Sequence, residues 1–304
     1  MTSSVRGRFA FTLGANFFRA GLNFTTGMLL ARWLEPTRYG NMAFLLGSFL
    51  GVRQLLDLGS SSAFFTFLSQ RPRTGRFVRF FWNWMLVQFL VPLVVVGLLF
   101  PHVCIETIWR GESRGIVLLA FVAVFLQYSV WPVAQQIGEA QRATILVQAV
   151  GVVVALVHMS AMAVLWWLGI LGIPSVFLAI ALEYALGSAV ACQILRGARA
   201  EAETQVEEPG RGIWRGYLAY CWPLIPYSIF GFMYEFVDRW MLQKHGGASE
   251  QAFYAVGAQF GAIALLATSS ILRIFWKEIA EAHHQKNEAR TRSLYFKVSR
   301  LLYL

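Results

Sequence analysis

Asn16, Arg19 and Asn23 stand three and four residues apart in a run that is otherwise apolar. On a helix that spacing puts all three on one face. A guanidinium and two amides on one side of an apolar helix can bind an anion where the stripe faces a water-filled cavity; the alternative is an arginine that snorkels or pairs structurally. Arg53 and Asp57 repeat the theme at i and i+4, with Gln54 beside them. They either neutralise each other or form an anion site whose arginine the substrate draws away from the aspartate. Glu183 has no local partner. Such a carboxylate binds a proton or cation, pairs across helices or lines a cavity wall. His158 is a relay candidate or a satisfied core residue. Glu235 and Arg239 can pair at i and i+4, which turns Asp238 elsewhere, and Arg273 either snorkels or reaches a cavity mouth.

No enzyme constellation accompanies these groups. HExxH, the P-loop and the Gly-rich dinucleotide turn are all missing from the sequence. Cys104, Cys192 and Cys221 are widely spaced, without CxxC or a histidine at ligand distance, so no metal site or disulfide framework is implied and no cofactor is expected beyond a coupling proton or sodium ion.

The elements that must position these side chains are membrane helices. Hydrophobic residues make up 57% of the 304, charged residues 14%, and mean hydropathy is +0.54. A soluble domain carries about 25% charged residues. The net charge of +10 would suggest nucleic acid in a soluble protein, but no basic stripe with interleaved aromatics stands in a polar segment, and Lys and Arg collect in cytoplasmic loops of membrane proteins. A span needs roughly 20 apolar residues. Spans are expected at Phe9–Trp33, Gly40–Leu68, Phe77–Phe100, Gly115–Ile137, Thr144–Gly169, Ile173–Leu195, Gly216–Leu242 and Phe253–Trp276, with a ninth beginning near Ser293. The N-terminal run is read as an uncleaved first span. Pro92, Pro132, Pro223 and Pro226 lie inside spans and permit kinks.

Orientation follows from the loops. With the N-terminus inside, the inner segments gather Arg6, Arg8, Arg71, Arg73, Arg142, Arg211, Arg215 and Lys286 among others, while the outer ones hold Arg38, Arg110, Arg114 and Lys244. A multi-pass inner-membrane protein with a cytoplasmic N-terminus is expected. The polar stretch 196–215, with its acids, arginines and Gly-Pro punctuation, reads as a cytoplasmic linker between a six-helix lobe (1–195) and the start of a second, truncated lobe (216–304). A weak internal repeat agrees. Arg32-Trp33-Leu34 followed by Tyr39 has a counterpart in Arg239-Trp240-Met241 followed by Tyr254, and the even number of spans between them implies parallel repeats.

Three segments, in order, resemble the polysaccharide flippase family: LLARWLEPTRYGNMAF at 29–44, LLDLGSSSAFFTFLSQ at 55–70, and YCWPLIPYSIFGFMYEFVDRWMLQKHGGASEQAFYAVGAQF at 220–260. The family belongs to the multidrug, oligosaccharidyl-lipid and polysaccharide exporter superfamily. The resemblance implies an all-α integral membrane protein with a MATE-like two-lobe helical bundle, of about 12–14 spans in a full-length member against the eight to nine read here. It also implies a transporter, not an enzyme, that moves polyprenyl-diphosphate-linked oligosaccharide (O-antigen, capsule or exopolysaccharide repeat units) by alternating access. Its partners would be that substrate, membrane lipids and other polysaccharide-assembly proteins. By depth, Arg19 and Arg53 match the family's cationic cavity, Asn16 and Asn23 are cavity candidates on the face of Arg19, and Asp57, Glu183, Glu235 and Asp238 remain as coupling or charge-pair candidates. A drug exporter of the same superfamily and a membrane glycan polymerase or ligase are the alternatives.

Overall fold

The computed structural model describes residues 5–70, 75–141, 143–200, 210–285 and 287–302. Backbone groups in hydrocarbon must bond within their own segment, which leaves helices as the economical solution, and among the described residues every regular element is helical. In chain order these are α1 (Val5–Trp33), α2 (Pro36–Asp57), α3 (Ser60–Gln70), α4 (Gly75–Val94), α5 (His102–Ile108), α6 (Arg114–Phe125), α7 (Trp131–Ala140), α8 (Thr144–Trp167), α9 (Ile173–Ala200), α10 (Gly210–Cys221), α11 (Ile225–His245), α12 (Gly247–His284) and α13 (Glu288–Leu302).

Four stretches are long and apolar enough to cross a bilayer: Gly75–Leu99, Arg114–Ala140, Thr144–Trp167 and Ile173–Leu195. The bent pair α2–α3 makes a fifth. Helices α1, α11 and α12 coincide with expected spans but do not meet the same criterion. Their polar residues lower their apolarity, and these are the helices that gather around α2. The exterior is greasy elsewhere, with Leu98, Trp167 and Leu186 at 78%, 80% and 66% exposure, a surface that lipid accepts and water does not.

The second span is not the continuous rod expected over Gly40–Leu68. It breaks by 58° between α2 and α3. Leu58 and Gly59 both take left-handed backbone, φ 47° and 78°, and a Cβ on Gly59 would also meet the Leu224 side chain at 2.6 Å. Asp57 caps the new helix: its Oδ1 accepts from Ser61 N at 3.0 Å and from the Ser60 and Ser61 hydroxyls. The Arg53–Asp57 ion pair allowed by their spacing is therefore not formed, because the break turns the carboxylate to the orphan amides of α3.

The prolines mark irregular backbone as expected. Pro92 precedes a π-turn at Val95–Leu99, Pro132 follows one at Leu126–Val130, and Pro223 sits in the 3₁₀ turn Trp222–Leu224 between α10 and α11. Arg114 closes the first of these by donating to the Gly97 and Phe100 carbonyls, both at 2.8 Å. Helix α9 runs to Ala200 and α10 begins at Gly210, and the centre of the expected linker, 201–209, lies outside the described residues together with Arg71, Arg73 and Arg142.

Helices α2 to α9 share one apolar core, built on fully buried Phe44, Phe49, Phe64, Phe81 and Phe177. Against it α2 carries α11 and α12, while α1 packs between α8 and α12. The two hairpins α1–α2 and α11–α12 thus meet as α1 on α12, α11 on α2 and α2 on α12. Exchanging one hairpin for the other reproduces the same set of contacts, the pattern that a two-fold axis between parallel repeats generates.

Candidate functional site

Polar side chains converge where α1, α2, α8, α9, α11 and the π-turn at Leu126–Val130 come together. Asn16 is buried and accepts from Arg19 Nη2 at 2.9 Å, the short reach of neighbours on one helical face. The Arg19 guanidinium lies against Gly151 of α8, where a Cβ would stand 2.7 Å from Nη1. Larger residues at 151 would push the arginine away. From α9, Tyr184 lies within Coulombic reach of Arg19, and its hydroxyl accepts from Gln127 Nε2 at 3.3 Å. Tyr128, next to Gln127, lies within reach of Tyr184, Arg53 and Arg239. The two tyrosines thus lie within Coulombic range of arginines contributed by α1, α2 and α11.

The α2–α11 contact brings Arg239 there. Gly47 faces the Arg239 side chain, Gly51 faces Phe236, whose Cβ would stand 3.2 Å from a Cβ at position 51, and Gln54 fills the space beside Gly231. Arg239 Nη2 donates to Glu235 Oε2 at 3.3 Å and its guanidinium lies 5.7 Å from the centre of the Tyr254 ring. Arg53 Nε is buried without a hydrogen-bond partner, and no carboxylate pairs with Arg53 among the described residues. Beside this centre, His158 of α8 and Glu183 of α9 form a 2.7 Å contact at 13% and 8% exposure, with Nδ1 of the imidazole as donor to a carboxylate Oε2. Glu183 Oε1 is buried and unpartnered. The centre thus holds three guanidiniums against two carboxylates, with spare donors, in surroundings that strengthen every charge-assisted bond. It can hold a multivalent oxyanion such as a diphosphate. Among the described residues of this centre, no hydroxyl or thiol stands against a base in the manner of an activated nucleophile.

The end of the bundle opposite the N-terminus is sealed by neutral hydrogen bonds. Gln243 Nε2 donates to Asn41 Oδ1 at 2.8 Å, and Gln259 Nε2 donates to the Tyr39 hydroxyl at 2.5 Å. Gly40 of α2 comes against the Ala248 backbone carbonyl so closely that a Cβ there would overlap it. Stacked Trp33 and Trp166, 4.9 Å apart, sit at this same end, where an interfacial aromatic belt is expected. At the opposite end, Tyr217 donates to the Ser60 carbonyl at 2.8 Å, and the Thr66 hydroxyl lies 3.2 Å from that of Tyr220 and accepts from Trp276 Nε1 at 3.3 Å.

Glu112, in the loop between α5 and α6, extends the seal. Its carboxylate is hydrogen-bonded by Asn41, and burial raises its pKa above the ordinary 4.5 while that bond offsets part of the rise. The sealed form therefore binds the proton more readily than a form in which Glu112 is exposed. The penalty on the seal is present above the raised pKa and vanishes as pH falls to about the unperturbed value. Spin labels at Thr37→Cys and Ser249→Cys should accordingly report more of the short distance at pH 5 than at pH 8. Glu112→Gln should abolish that dependence, and a pH-independent distance in the parent protein would refute the coupling.

Of the residues singled out in the sequence, Asn16 and Arg19 meet as expected, and Glu235 pairs with Arg239. Asn23 is exposed. Asp57 leaves Arg53 for the helix cap. Glu183, without a partner in its own helix, acquires one in His158. Asp238 is exposed and faces away from Arg239, and the Arg273 side chain lies outside the described residues. Arg239 as a member of the cationic centre, Tyr128 and the Asn41–Gln243 link were not anticipated. The Arg-Trp repeat and the Glu235–Arg239 spacing were the signals that pointed to Arg239.

A family model described as polysaccharide biosynthesis protein matches residues 5–275 of the chain. No curated protein and no solved structure matches.

Proposed function

Because the chain belongs to the polysaccharide biosynthesis protein family, we propose that it is a flippase, carrying polyprenyl-diphosphate-linked oligosaccharide from the cytoplasmic to the outer leaflet of the inner membrane. The observation that carries this reading is the convergence of Arg19, Arg53 and Arg239 on Tyr128 and Tyr184. A diphosphate-sugar headgroup cannot enter hydrocarbon without losing its hydration, a cost of several kcal/mol or more per unpaired charge. Guanidiniums replace that hydration with charge-assisted, often bidentate bonds, and the prenyl chain stays in lipid. The N-terminus is cytoplasmic in this reading, so the seal around Tyr39, Asn41 and Gly40 closes the outer side.

Transport then requires that the two hairpins around α2 rock apart, opening one side as the other closes. The repeat of contacts between α1–α2 and α11–α12 supports such a motion. His158 and Glu183, buried together beside Arg19, are the coupling pair for a proton or sodium ion in this scheme. The short outer loops favour a transporter over a glycan polymerase or ligase. Arginines in the centre disfavour cationic drugs as cargo.

The test is export in a flippase-deficient strain supplied with the native glycan pathway, read by surface glycan staining. Arg53→Ala should lower export about tenfold or more, the loss of one charge-assisted bond of about 1.5–3 kcal/mol, at unchanged membrane insertion. Arg53→Lys should recover part of it. Arg19→Ala should behave similarly, and wild-type export by both alanine variants would remove the cationic centre from the mechanism.

A further inference from the structure

Helix α12 is far longer than a span. Its 38 residues extend about 57 Å at 1.5 Å per residue, against a hydrocarbon thickness of about 30 Å. Since it begins at the α11–α12 seal, its surplus must emerge at the opposite end, the side of the N-terminus. Trp276, 40% exposed, stands near that exit, and α13 turns back along α12 from there. Arg290 Nη2 on Glu278 Oε2 at 2.6 Å fixes the register of this hairpin. Counted from the turn at 285–287, Phe296 returns to the level of Trp276.

The two faces of α13 differ. Val298 is buried and Leu294 half-buried, toward α12. The opposite face is exposed and carries Arg292, Phe296, Lys297 and Arg300, which a spacing of three to four residues places together. Tyr295 and Phe296 are 64% and 50% exposed, and the Arg292 guanidinium lies 5.7 Å from the Phe296 ring centre. Among the described residues no carboxylate pairs with Arg292, Lys297 or Arg300. Three uncompensated cations interleaved with exposed aromatic rings, level with an interfacial tryptophan, match one kind of surface: a layer of phosphates lying over hydrocarbon.

We propose that this face of α13 binds the headgroups of anionic phospholipids in the leaflet on the N-terminal side, anchoring the foot of the α12–α13 hairpin. The arginines and lysine contact phosphate, and Phe296 and Tyr295 enter the boundary with the acyl chains. The inference rests on the membrane reading alone and is independent of what the protein transports.

Bromolipid quenching tests it on the whole chain. Phe296→Cys, in a background with Cys104, Cys192 and Cys221 replaced by alanine, is labelled with a fluorophore and reconstituted into vesicles of phosphatidylcholine with 30 mol% phosphatidylglycerol. Brominated phosphatidylglycerol should quench the label with an apparent affinity about fivefold above brominated phosphatidylcholine, the order expected for a contact worth one basic residue at the surface. Arg292→Gln, Lys297→Gln and Arg300→Gln together should erase the preference while leaving the elution profile and label yield of the protein intact. Equal quenching by the two lipids would overturn the proposal, as would a preference that survives the triple substitution. A label quenched by neither lipid would place the face in water or against another protein, and would overturn it equally.

Discussion

Replacing His158 with leucine is expected to destabilise the protein by about 3–5 kcal/mol, the cost of stranding a buried charge by removing its partner. His158 and Glu183 lie at 13% and 8% exposure with 2.7 Å between Nδ1 and Oε2, and the other carboxylate oxygen has no partner. Among the described residues the imidazole is thus the one group bonded to a carboxylate held between α8 and α9. The reverse change, Glu183→Leu, should cost less, because a neutral imidazole tolerates burial better than a carboxylate. The double replacement should recover most of the loss, since an apolar pair of similar volume removes both desolvation penalties. Thermal unfolding of the purified protein in one detergent, on all four corners of the cycle, measures the coupling. Additive losses would show that the two side chains do not depend on each other. Glu183→Gln keeps a hydrogen-bonding group opposite His158, so it should fold and yet flatten the pH or sodium dependence of export. An unchanged dependence would leave Glu183 a structural residue.

That pair also shows where a sequence stops speaking. Hydropathy and loop charges disclose helices because each is a local property, and α4, α6–α7, α8 and α9 fall close to their expected limits. His158 and Glu183 are 25 residues apart on different helices. No periodicity links them, so each reads as a solitary polar group. Arg53 and Asp57 illustrate the opposite failure. Their spacing favours a pair only if the helix continues past Asp57, whereas the left-handed turn at Leu58 and Gly59 ends it there and presents fresh amide donors. The Gly-small-small run after Asp57 carried that information, but through turn chemistry, not through the helical period. The place of Arg239 beside Tyr128 lay beyond local reasoning, since it depends on α2 and α11 meeting through glycines. The same contact explains why α1, α11 and α12 are less apolar than their neighbours: they line a protein interior that carries charge, and lipid touches only part of each.

Those glycines differ in what stands opposite them, which makes two outwardly similar substitutions diverge. A Cβ on Gly47 would meet the Arg239 side chain, a flexible group that can swing aside. Gly47→Ala should therefore cost no more than about 1 kcal/mol, and it gains helix propensity of similar size. A Cβ on Gly40 would overlap the Ala248 carbonyl, which is backbone and cannot move without shifting the start of α12. Gly40→Ala must part α2 from α12 at the seal. The Asn41–Gln243 and Tyr39–Gln259 bonds, 2.8 and 2.5 Å, are stretched with it. Two lost hydrogen bonds at about 1 kcal/mol each, plus about 1–3 kcal/mol of overpacking, give a loss of about 3–5 kcal/mol. The consequence for transport is directional. A seal that cannot close leaves that side open, so Gly40→Ala should abolish export while the Thr37–Ser249 distance lengthens, and Gly47→Ala should leave that distance near the parent value. Equal behaviour of the two alanine variants would mean that the contact at Gly40 is not what holds the two hairpins together, and the sealing of that end would have to be sought in the aromatic stack of Trp33 on Trp166 instead.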